Sequence, residues 1–260
     1  MNVATTLPLS YLLLSAVYNC GSGCIFGGGG PPATQPPPIG DDVLLFGGFA
    51  FSSSTPDQRP ATNEVHRFEP STGRLSRLLF NLTQGRFLHG GARRPDGSIL
   101  VTIVGDASIV GPTLLSRRYV PAVAAVGGDV YACGGVSNIT NPASVLDTCE
   151  VLEAGRDRWR LLSNRLPEPI ATTGAATVGR HLYLLGGFVP DGGITNRVLR
   201  CDTSQEGGSG WEEVAPMTAQ RGGHRAVGLE INGRQYIVVC GTNPGQESGG
   251  CERYDVARGK

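Results

Sequence analysis

Few side chains in this sequence could do chemistry, and most of those follow a pattern. Two of the four histidines follow an arginine at the same interval, Arg86/His89 and Arg221/His224, and a glycine-ended apolar segment follows each. A guanidinium can capture a carboxylate through two parallel hydrogen bonds, or it can satisfy backbone carbonyls inside a fold. Imidazole can ligate a metal, move a proton or fill a structural hydrogen-bonding role. Catalysis needs nucleophiles, acids and bases that converge, or a metal cage. No such set can be assembled from His66, His89, His181, His224 and their neighbours, so an enzyme is not expected.

The seven cysteines are an odd count, which rules out a framework pairing all of them. Cys133, Cys149, Cys201, Cys240 and Cys251 occupy positions where other repeats carry Val, Leu or Tyr. They read as buried thiols acting as small hydrophobes, which points to a reducing, cytoplasmic compartment. Only Cys20 and Cys24 approach the spacing of a zinc site. No metal and no cofactor are expected.

Twenty-two Lys and Arg balance twenty-two Asp and Glu, and no stretch concentrates the basic residues that a phosphate backbone requires. Nucleic acid is therefore not an expected partner. The longest apolar run, Leu7 to Tyr18, is too short to span a bilayer as a helix. Thirty-nine Gly and eighteen Pro separate short segments rich in Val, Ile, Leu and Tyr, the composition of many strands joined by turns.

What positions the Arg-x-x-His pairs is a repeat. Apolar runs end in a glycine pair at Gly47-Gly48, Gly134-Gly135 and Gly186-Gly187, with weaker copies at Gly105 and Gly241. Glycine is wanted where backbone bends sharply or approaches another strand closely. A second element follows: a valine, two further residues, then an aromatic and an acid, complete in its first copy and carrying substitutions in the other three. It is found at Val65/Phe68/Glu69, Cys149/Leu152/Glu153, Val198/Cys201/Asp202 and Cys251/Tyr254/Asp255. A third element, a bulky apolar residue, is Leu75, Trp159 or Trp211.

Together these residues resemble the kelch repeat, from roughly Asp41 to Lys260 and most fully from Val130 to Trp159. The resemblance implies an all-β, kelch-type β-propeller of four-stranded antiparallel blades. Five blades are the expected count, four to six fit, and some are degenerate or incomplete. Gly97 to Asp106 is the remnant of an eroded blade. Residues 1–40 form a separate N-terminal segment, either a decayed blade or a signal peptide with a Gly/Pro-rich spacer; residues 41–260 form the propeller. The signal-peptide reading would make the protein secreted, with Asn81-Leu82-Thr83 and Asn138-Ile139-Thr140 as glycan acceptors.

The resemblance also implies a protein or peptide partner, with Arg86, His89, Arg221 and His224 as candidate contacts at the channel mouth. The competing expectation for these residues is internal, with the guanidinium on backbone carbonyls between blades. Phe49–Asn63, Val136–Ser144, Phe188–Asn196 and Thr242–Gly250 read as surface loops that vary on a fixed scaffold. A carbohydrate-active or oxidising propeller, and a degenerate structural repeat, are the alternative readings.

Overall fold

A computed structural model describes residues 114–138, 141–190, 193–204, 210–241 and 251–259, and six strands before them. Those six are β1 (Val17–Asn19), β2 (Val43–Phe46), β3 (Glu64–Glu69), β4 (Arg74–Asn81), β5 (Gly91–Arg93) and β6 (Ile99–Val101). They are followed by β7 (Ala122–Val126), β8 (Asp129–Cys133), β9 (Cys149–Leu152) and β10 (Arg160–Leu161). Next come β11 (Gly174–Val178), β12 (His181–Val189), β13 (Gly193–Asp202) and β14 (Trp211–Val214). The last are β15 (Arg225–Ile231), β16 (Arg234–Cys240) and β17 (Cys251–Asp255).

Every pairing is antiparallel between strands adjacent in sequence. The described strands form sheets β1–β4, β7–β10 and β11–β14 of four strands, β15–β17 of three, and β5–β6 of two. The chain is all-β, and the described residues contain no α-helix. Strand β1 pairs with β2, so the segment before residue 40 contributes a strand to the first sheet. Of the stretch read as an eroded blade, Ile99–Val101 is a strand paired with Gly91–Arg93.

Short strands with tight hairpins follow from local chemistry. At Asn232-Gly233 both residues have positive φ, 52° and 73°, the geometry whose twist matches the flanking strands β15 and β16. In β7 and β11 burial alternates along the strand. Yet both faces meet protein, because the first strands of successive sheets, β5, β7, β11 and β15, lie side by side. One core cluster, including Cys133, Cys149, Ile170, Leu182 and Leu184, fills the space between β7–β10 and β11–β14. Another, including Leu185, Val198, Ile237 and Val239, fills the next space. Trp159 is buried against Val130, Ala132 and Leu152, whereas Trp211 is half-buried at a cluster edge.

One expected loop is mostly strand. Within Phe188–Asn196, strand β12 continues to Val189 and β13 resumes at Gly193, with Phe188 opposite Ile194. Phe188 and Val189 are buried, and Phe188 packs with Val136, Val145 and Ala171. The physical reason is that two apolar side chains beyond the glycine pair gain more by folding over the junction between sheets than by remaining in water. Val136, at the start of another expected loop, is buried in the same cluster.

Candidate functional site

The glycine pairs Gly134-Gly135 and Gly186-Gly187 make the junctions between neighbouring sheets. Gly135 N–H donates to the Ile170 carbonyl of the next sheet at 2.8 Å, and Gly187 N–H donates to the Arg221 carbonyl of the sheet after at 2.7 Å. Gly134, Gly135, Gly186 and Gly187 all have positive φ, which glycine adopts without steric cost. A Cβ on Gly134 would overlap the Ile170 carbonyl oxygen, and one on Gly186 would lie 2.5 Å from that of Arg221. Beside these contacts runs a second series. Thr172 N–H donates to the Val120 carbonyl at 3.3 Å, and Gly223 N–H donates to the Thr172 carbonyl at 2.8 Å. Val120, Thr172 and Gly223 share positive φ of 47°, 54° and 71°, so the same turn recurs in three sheets although only one copy carries glycine.

Two residues before each such turn stands Arg118, Ile170 or Arg221. Arg118 and Glu150 have fully buried side chains and pair through Nε and Oε1 at 3.0 Å. The guanidinium also donates to the Gly134 carbonyl at 2.9 Å, the Thr148 carbonyl at 2.7 Å and Thr148 Oγ1 at 2.7 Å. Backbone N–H groups of Leu115 and Ser116 complete the carboxylate at 2.7 and 2.9 Å. Arg221 repeats the arrangement, donating from Nε to Glu252 Oε1 at 2.6 Å and from Nη1 to the Gly241 carbonyl at 2.5 Å. Thr218 gives Glu252 two further bonds, from N–H at 2.7 Å and Oγ1 at 2.6 Å. Burial resists ionisation of Glu252, but the Thr218 and Arg221 hydrogen bonds outweigh it and hold the carboxyl below its ordinary range. The sheet between uses an apolar pair at the same places, Ile170 and Leu199, both buried.

Of the four residues expected at a partner surface, Arg221 and His224 lie inside, 4% and 0% exposed, with Arg221 holding this chain's own carboxylate and carbonyl. The internal role is the one the geometry gives Arg221. Arg86 and His89 lie outside the described residues. The His224 ring fills space left by two glycines of the preceding sheet: a Cβ on Gly174 would sit 2.6 Å from Nε2, and one on Gly186 3.0 Å from Cε1. Burial, reinforced by the charges of Arg225 and Arg221, pushes His224 down to about 3, so it is neutral at pH 7.

An acid sensitivity follows. The folded pKa is depressed, so the unfolded chain takes up the proton first, and stability present above pH 6.5 is lost as pH falls toward about 3. Between pH 6.5 and 5, above the range in which Glu252 is protonated, urea unfolding should register a loss of about 2 kcal/mol. His224→Thr, which installs the residue found at the matching position as Thr173, should flatten that slope.

Arg118, Glu150 and Glu252 are missed by a search for Arg-x-x-His, because Pro121 stands where His224 stands in the later sheet. The readable signal is the repeated dipeptide Cys149-Glu150 and Cys251-Glu252.

The cysteine reading needs correction. Cys133 bonds to Cys149 and Cys240 to Cys251; only Cys201 is a free thiol among the described residues. Each bonded pair is directly opposite across neighbouring strands, with Cα atoms 4.1 and 4.2 Å apart, so side chains that single-strand reasoning treats as independent hydrophobes face each other. Burial pushes the Cys201 thiol up to about 11, leaving it protonated. Among the described residues no three His, Cys, Asp or Glu side chains gather as metal ligands, and no helix is long and apolar enough to cross a membrane.

Above the junctions lie exposed loop segments. Ser137 N–H donates to the Ser144 carbonyl at 3.0 Å, which brings together the two ends of the connection between β8 and β9. Within it a short 3-10 turn, Pro142–Ser144, is capped by Asn141 Oδ1, which accepts from Ala143 N–H at 3.0 Å. Asn138, Asn141 and Ala143 are exposed, as is Pro190 at the tip of the β12–β13 hairpin.

Comparison with known proteins agrees with this architecture. A family model described as the Kelch motif matches residues 117–165, the stretch holding Arg118, the first glycine junction and Trp159. Kelch repeat and BTB domain-containing protein 12 of Homo sapiens is 26% identical over 129 residues, covering 46% of this chain and 20% of that protein. Kelch repeat protein M-T8 of Myxoma virus (strain Lausanne) is 30% identical over 129 residues, covering 49% of this chain and 23% of that protein. The matched region is thus under a quarter of either relative's length. The recurring glycine junction, the motif match and the two relatives together show that residues 117–165 carry a Kelch motif and that this chain is similar to kelch-repeat proteins.

Proposed function

We propose that the chain is a kelch propeller of about five blades that binds a protein or peptide through the loops rising above its sheet junctions, and that it does so without catalysis. The observation that carries this reading is a contrast between constant and variable parts. The glycine junction and the turn at Val120, Thr172 and Gly223 recur with the same hydrogen bonds. The connections above them differ, with a 3-10 turn at Pro142–Ser144 capped by Asn141 in one sheet and an extended hairpin reaching Pro190 in the next. A rigid repeated frame with dissimilar exposed tips is an arrangement for recognition, since the tips can change without disturbing the core. The names of the two relatives mention a BTB domain in one case and kelch repeats in both, and a protein-binding role for this chain is the extension made here.

Affinity capture with three forms of the chain tests it. Replacing residues 138–143 by a Gly/Ser segment should reduce capture of the dominant partner at least tenfold, with the melting temperature within a few degrees of wild type. Arg156→Ala/Arg158→Ala, exposed in the turn at the opposite edge of the same sheet, should leave capture unchanged. The reverse pattern would reject the loop edge as the binding surface, and turnover of a sugar or alcohol substrate would reject a purely binding role.

A further inference from the structure

We propose that this protein folds in an oxidising compartment, where Cys133–Cys149 and Cys240–Cys251 form as structural staples and Asn138 receives an N-linked glycan.

The argument rests on what occupies one recurring place. In four sheets the last residue before the glycine that follows the second strand's apolar run faces one residue of the third strand. That facing pair is Phe46/Val65, Cys133/Cys149, Leu185/Val198 and Cys240/Cys251 in chain order. The place therefore holds two bulky apolar residues or two cysteines, and none of these four sheets mixes the kinds. If cysteine served there only as a small hydrophobe, one cysteine facing a valine or leucine would pack as well, and nothing would tie the two choices together. A bond between them explains the tie. The hydrogen bond from Gly134 N–H to the Thr148 carbonyl at 3.0 Å lies beside the first pair and not across it, so the cysteines occupy a non-hydrogen-bonded site, where facing side chains are nearest. Cys201 supplies the contrast: it faces Leu182 on one side and Trp211 on the other and remains a free thiol.

Each bond forms as two thiols give up two protons and two electrons, and a disulfide-bearing oxidant exchanges with them and leaves as a dithiol. Such bonds persist in secretory compartments and are rare in a reducing cytosol, so the pairing reverses the location that unpaired thiols suggested. In the same compartment Asn138-Ile139-Thr140 is an acceptor triplet. Asn138 is exposed, and its backbone N–H donates to Ser144 Oγ at 3.0 Å, fixing it at the root of the loop that leaves the first stapled strand.

The test expresses the full chain in cultured human cells, blocks thiols with N-ethylmaleimide before lysis, and weighs the intact protein with and without reduction and re-alkylation. Reduction should expose four additional thiols from these positions, and peptide mapping should recover the 133–149 and 240–251 cross-links. It should also lower the melting temperature by about 5 °C or more. Peptide N-glycosidase should remove mass from wild type and not from that site in Asn138→Gln. Complete alkylation of Cys133, Cys149, Cys240 and Cys251 before reduction would overturn the staples. Intact cross-links with no glycosidase-sensitive mass, or with all of it retained in Asn138→Gln, would overturn the Asn138 assignment. The double variants Cys133→Leu/Cys149→Val and Cys240→Leu/Cys251→Val, copying Leu185/Val198, should fold, each with only two thiols exposed on reduction.

Discussion

Arg118→Met should destabilise the protein by about 3–5 kcal/mol in urea unfolding at pH 7, because it leaves the Glu150 carboxylate buried without its counter-charge. Neither side chain has any solvent exposure, so water cannot take over as it does when a surface pair is broken. The sheet between the two ion pairs provides the comparison, with Ile170 and Leu199 in the corresponding places. Arg118→Ile/Glu150→Leu should therefore recover part of the loss. Recovery will be incomplete, since the Thr148 carbonyl and hydroxyl and the Leu115 and Ser116 N–H groups lose their partners. A double variant about 1–3 kcal/mol below wild type is the expected result, at roughly one unsatisfied buried group's cost. If the double variant were as unstable as the two single variants added together, the buried charge would not be the source of the cost.

Gly134→Ala should lose about 3 kcal/mol or more, and Gly179→Ala about 1–2 kcal/mol, although the two glycines have nearly the same backbone, φ +61° and +58°. Both pay the steric cost of a left-handed conformation with a Cβ. Only at Gly134 does the added carbon meet another sheet, at the Ile170 carbonyl, whereas at Gly179 it meets nothing within 4 Å. The difference between the two variants isolates the junction. It should be accompanied by faster hydrogen exchange at the Gly135 amide, whose bond to Ile170 must lengthen. Equal losses in the two variants would mean that conformation alone, and not the approach of the sheets, requires glycine at Gly134.

The glycine junctions could be read from sequence because they recur: a close approach of backbones excludes every side chain, so the same residue must appear each time. The buried ion pairs were harder. Arg118 lacks the following histidine, and the choice between Arg/Glu and Ile/Leu at the same places shows that the site selects for filled volume with satisfied polar atoms and accepts two chemistries. The disulfides were hidden for a different reason. A sequence shows that Cys133 and Cys149 are each in a strand, but whether they face each other depends on register, and the sequence separation is 16 in one sheet against 11 in the other. The hairpin at Phe188–Ile194 was misread because glycine and asparagine nearby suggested a loop, while the decisive apolar pair covers a junction made with residues distant in sequence.

The links joining Val120, Thr172 and Gly223 are made wholly of main-chain atoms. These links place no demand on the identity of the side chains at the three turns themselves. The interior of a sheet can therefore change its chemistry while the turn-to-turn links stay the same. Behind one set of main-chain links, a disulfide beside an ion pair, then aliphatic residues at both places, then a disulfide beside an ion pair follow in turn along this polypeptide.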